Sequence, residues 1–145
     1  MKNLWPQNLN LAEDKATPKE LLQEQANLLS KVTNSKLQAS VETVTALKEN
    51  TFENQKIQDD FDIEVFIHTL RIIVPALNYR FTLLRLAHST IKLNPFYVYS
   101  VFSDEKFEGN TVEDLEKILE QIFNSDAVKD ALNTIILQSN NTNPF

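Results

Sequence analysis

The run PALNYRFTLLRLAH, Pro75 to His88, decides how this chain is read. Proline has no N–H to give to an internal ladder, so Pro75 closes whatever strand precedes it. From Tyr79, strict alternation sets Tyr79, Phe81, Leu83, Arg85 and Ala87 on one face and Arg80, Thr82, Leu84, Leu86 and His88 on the other. Both sets are partly apolar, which predicts a central strand covered on its two sides. An arginine in such a strand must reach water or find a partner. Arg80, with Arg71 or Arg85, is therefore a candidate grip on a carboxylate-bearing ligand, set against the plainer role of snorkelling to surface acids.

Upstream, Phe61, Ile63, Val65, Ile67 and Thr69 alternate with Asp60, Asp62, Glu64 and His68. This describes a long strand starting between Lys56 and Asp60, wetted on its polar side and losing its alternation over Leu70–Val74. Asp60, Asp62, Glu64 and His68 are the strongest polar alignment, with donor types that suit a divalent ion or acid–base work. Successive same-face positions lie about 7 Å apart, too far to close on one small ion unaided, so the expectation is a solvated sheet face. His68 and His88 are the only histidines. On neighbouring strands they could meet as a pH-responsive pair. Further back, Leu37, Ala39, Val41, Thr43, Thr45 and Leu47 alternate with polar residues as another strand, joined to the next by the polar connection Lys48–Gln55.

Downstream, Asn94-Pro95 marks a turn and FYVYSVF, Phe96–Phe102, reads as a strand with aromatic or β-branched residues on both faces. Tyr97 and Tyr99 are candidate partner-contacting side chains. At a sheet edge this strand would also invite self-association. Ser103–Asn110 reads as a charged loop holding the only glycine, Gly109.

Helices flank this β region. Thr17-Pro18-Lys19-Glu20 combines a capping threonine, a proline at the first helical position and a glutamate at the reciprocal position. Leu21, Leu22, Gln25, Leu28, Leu29 and Val32 follow at helical spacing, interrupted only by Gln25. Thr111 with Asp114 opens a second helix whose apolar side is Leu115, Ile118, Leu119, Ile122 and Phe123, and Ser125 caps a continuation through Val128, Leu132 and Ile136. The expected architecture is α+β: an antiparallel sheet of about four to five strands flanked by an N-terminal helix and one or two C-terminal helices. Residues 1–16 read as an irregular lead-in anchored through Leu4, Trp5, Leu9 and Leu11, residues 17–138 as one domain, and 139–145 as a flexible polar tail.

Composition narrows function by exclusion. At 145 residues, 42% hydrophobic, the chain can build one core without staples. A formal charge of -6 opposes polyanions and anionic bilayers. Absence of cysteine removes thiolate chemistry and cysteine-ligated metals. Solitary Gly109 supports no phosphate-cradling loop, and Ser89 beside His88 is no triad, because strand neighbours point apart. The start, MKNLWPQNLNLAEDK, has no continuous apolar run, so the default expectation is cytoplasmic. The expected function is a non-enzymatic protein-interaction module, an adaptor, inhibitor or immunity-like protein acting through an acidic or aromatic surface. Its partners are expected to be another protein or a second copy as a homodimer, without cofactor, nucleic acid or membrane. The competing expectation is a small-ligand or metal-dependent enzyme with a pocket between sheet and helices.

Overall fold

The phase of each strand settles what the sheet presents. A computed structural model describes residues 1–7, 9, 16–47 and 64–140. Helix α1 (Pro18–Val32) precedes strands β1 (Gln38–Leu47), β2 (Glu64–Val74), β3 (Tyr79–Ser89), β4 (Phe96–Ser100) and β5 (Glu105–Gly109), and helices α2 (Val112–Phe123) and α3 (Asp126–Asn140) follow. All four strand pairings are antiparallel, in the order β1-β2-β3-β4-β5. The fold is thus the α+β arrangement expected, with one helix before the sheet and two after it.

Strand β3 departs from simple alternation. Leu70 of β2 pairs with Leu84 and Arg71 pairs with Thr82, leaving Leu83 as an extra residue in β3. Such a bulge shifts the strand's phase by one position. Leu83 and Leu84 are both buried in the main core, at 2% and 0% exposure. The Leu83 carbonyl is not wasted, because Val101 donates its N–H to it at 3.1 Å. The two-sided reading of this strand is therefore corrected. Phe81, Leu83, Leu84, Leu86 and His88 face one way, while Arg80, Thr82, Arg85 and Ala87 face the other.

Among the described residues, helices lie on one face of the sheet. Leu21, Leu22 and Ala26 of α1, Leu115, Ile118, Leu119 and Ile122 of α2, and Val128 of α3 share a core with Leu70, Ile72, Leu84, Leu86 and Val98 of the sheet. Each such side chain taken fully from water contributes roughly 1.5–3 kcal/mol before entropy is charged against it. The other face carries a smaller cluster, Val65, Ala87 and Tyr97 with Ala46, Ile67 and Tyr99, to which no helix residue contributes.

Local chemistry sets the helix ends. Thr17 Oγ1 accepts from the Glu20 N–H at 3.2 Å. Thr111 and Asp114 form a full reciprocal capping box, and the Asp114 carboxyl is held below its ordinary range first by the Asn110 N–H and then by Thr111. Ser125 divides α2 from α3, its hydroxyl accepting from the Val128 N–H at 3.3 Å.

Four further expectations are corrected. The charged loop is in part strand β5, which ends at Gly109, where the Phe96 ring leaves no room for a side chain: a Cβ there would sit 2.6 Å from Phe96 Cζ. β4 is interior rather than an edge, since β5 pairs with it, and it stops at Ser100. α3 runs to Asn140, into the expected tail. Leu4, Trp5 and Leu9 do not anchor the lead-in, being 86%, 77% and 59% exposed. Leu11, the connection Lys48–Gln55 and the first part of the long strand, including Asp60 and Asp62, lie outside the described residues.

Candidate functional site

Three places hold the polar or accessible groups singled out above. The first is the histidine pair. His68 on β2 lies on the helix-covered face with Phe66, Leu70 and Ile72, opposite to the wetted face expected for it. The expectation failed because the polar residues before it set the apparent phase, whereas Leu70, Ile72 and Val74 after it carry the core. His68 and His88 are 3% and 4% exposed, and their Nε2 atoms are 2.8 Å apart. Glu64, four residues before His68 and about 13 Å along the strand, is exposed and does not join them.

The protons in this pair follow from its ends. His88 Nδ1 is 2.8 Å from the Ser89 carbonyl, which only accepts, so Nδ1 carries the hydrogen and donates. In neutral His88 the Nε2 is then an acceptor, and the hydrogen between the rings belongs to His68 Nε2. His68 Nδ1 in turn accepts from the Thr43 hydroxyl at 2.8 Å. Every ring nitrogen is thus used in one directed chain from Thr43 to Ser89. Burial first, then the neighbouring His88, then Lys19 in the first turn of α1, push His68 down to about 4. Neither ring has a free nitrogen to offer a substrate or metal. Among the described residues, no three His, Asp or Glu side chains gather to hold a metal ion.

The second place is the sheet face without helices. The bulge brings Arg80, Thr82 and Arg85 to successive positions on it, with Arg71 opposite Thr82 and Tyr99 opposite Arg85. Lys106 and Glu108 share this face on β5. Arg71 Nε lies 3.1 Å from Glu42 Oε2, whereas Arg80 and Arg85 form no ion pair among the described residues. Among the charged side chains the described strands place on this face, arginine predominates. Tyr97 is 8% exposed, and Tyr99, half-buried, donates its hydroxyl to Asp104 Oδ1 at 2.7 Å.

The third place is a pocket between sheet and helices, foreseen under the competing enzymatic expectation but without its lining residues. Between α1, α3 and the helix-covered face of the sheet lies an open cleft of about 320 Å³. Its α1 wall is Gln25, Ala26, Leu28, Leu29 and Val32, its floor is Ala39, Leu70, Ile72 and Leu83, and Phe123 and Leu132 close the far side. Among the described residues, Gln25 is the one polar side chain lining it. At Gln25 and Phe123 the cleft meets a second groove of about 430 Å³ between α1 and α2, lined also by Leu21, Glu24, Glu116, Leu119, Glu120 and Asn124. The sequence signal was the helical stripe that continues to Leu28 and Val32. These two stay 39% and 76% exposed because α3 stands off from α1 at that end.

Compared with known protein families, curated proteins and solved structures, the chain matches none of them. Among the described residues no helix is long and apolar enough to cross a membrane.

Proposed function

We propose that the chain is a non-enzymatic protein-interaction module whose docking site is the cleft between α1, α3 and the sheet. One observation carries this reading: the cleft is open, nearly all apolar and, at about 320 Å³, within the usual range of binding pockets. Exposed Leu28 and Val32 extend the same surface at its lip. A partner segment would seat apolar side chains there, in the manner of a helix or loop laid into a groove. The enzymatic alternative has less support, since the two histidines are saturated by their own hydrogen bonds.

The test is selection from a random twelve-residue peptide library displayed on phage, using the full chain as bait. Enrichment is expected on the wild-type protein and lost on Leu28→Glu/Val32→Glu, a pair placed at the solvent-exposed lip so that folding survives, which circular dichroism checks. No enrichment, or enrichment that the double variant retains, overturns the reading.

A further inference from the structure

The cleft and its neighbouring groove lie end to end along α1, meeting at Gln25 and Phe123, which line both. From Leu21 at one end to Val32 at the other, α1 rises by about 16 Å, roughly three turns. The two ends differ in chemistry. Toward Val32 the walls are aliphatic, while toward Leu21 they carry Glu24 from α1 and Glu116 and Glu120 from α2. None of these three carboxylates forms an ion pair among the described residues. Lys117 lines the adjoining groove beside Glu120 and forms no ion pair with these carboxylates among the described residues.

From this polarity, and resting on the cleft reading above, we propose that the occupant is a partner-protein segment with apolar side chains at one end and lysine or arginine at the other, its cations lying over Glu24, Glu116 and Glu120. A negatively charged segment would bring like charges together at the mouth. A purely apolar one would leave three carboxylates beside a covered groove with less water and no counter-charge. Cations in the segment meet both conditions. Because the carboxylates sit at a solvent-exposed rim, their effect belongs to encounter and selectivity, and it is screened by salt.

Composition of the selected peptides separates the two claims. The proposal expects peptides whose enrichment depends on Leu28 and Val32 to carry Lys or Arg clustered at one end. Synthetic copies, followed by fluorescence anisotropy in low salt, should bind the folded Glu24→Gln/Glu116→Gln/Glu120→Gln variant about tenfold more weakly than wild type. That ratio should shrink toward one at about 0.5 M salt, where screening is nearly complete. Cleft-dependent peptides without a cationic end, or equal affinity for the triple variant, overturn the charge proposal and leave the docking site standing. Absence of any cleft-dependent peptide overturns both.

Discussion

A buried imidazole pair sits where a core would ordinarily place hydrocarbon, and the arrangement of its hydrogens is testable directly. The carbonyl of Ser89 fixes the direction of the whole chain, so at neutral pH nitrogen NMR should find His88 as the Nδ1–H tautomer and His68 as the Nε2–H tautomer. The reverse pair of tautomers would contradict the geometry. Lys19 above, Thr43 and Phe66 beside and His88 opposite supply no carboxylate to stabilise a charge on His68. Unfolded, His68 takes its proton near 6.5; folded, it refuses until about 4. Between these values the unfolded chain binds more protons, so stability is full above about pH 6.5 and falls as pH drops toward 4, by up to roughly 3 kcal/mol from this group. Urea unfolding at pH 7, 5.5 and 4.5 reads the slope, and His68→Gln should flatten it. At the other end of the same row, Gly109→Ala must force Phe96 aside and should cost about 1–3 kcal/mol. In the background of Phe96→Leu, where the ring is gone, the added penalty of the alanine should largely vanish.

Most elements were legible, because their signals are local: Thr17-Pro18 and Thr111 with Asp114 cap helices using neighbours three residues away. Strand faces were not, because they depend on what packs across the sheet. Alternation in Tyr79–Ser89 gives two half-apolar faces; the unpaired Leu83 converts them into one apolar face and one bearing arginine. No residue in that stretch announces a bulge, since it contains no glycine and the extra residue is simply a leucine. The His68–His88 meeting was open to the sequence, but the burial of His68 was hidden, because Leu70, Ile72 and Val74 after it set the covered face of β2. The bulge makes a prediction that regular alternation forbids. Leu83→Glu and Leu84→Glu, at adjacent positions, should both unfold the protein, as each buries a charge in the main core. Thr82→Glu, set among Arg71, Arg80 and Arg85, should change stability by no more than about 0.5 kcal/mol. Tolerance of a glutamate at either leucine, measured by thermal unfolding, would restore the alternating strand.

Across the whole molecule, burial is distributed unevenly among the helices, and the cleft follows from that. Four residues of α1 and four of α2 are buried, but only Val128 and Ser139 of the fifteen in α3. Leu132, Ile135 and Ile136 reach the core without being fully covered, and Leu137 is 61% exposed. Sequence periodicity could show that α3 has an apolar side; it could not show how far that side stands from α1, since separation is set by both surfaces together. A helix held by fewer buried side chains opens at lower free energy than its neighbours. Native-state hydrogen exchange should therefore find the amides of Leu132–Gln138 exchanging at least tenfold faster than those of Leu22–Leu29. Binding in the cleft adds apolar contacts to Leu132 and so should stabilise the wall it forms. Saturation with a selected peptide is expected to slow exchange across Leu132–Gln138. Unchanged exchange there would mean that the peptide binds somewhere other than this cleft.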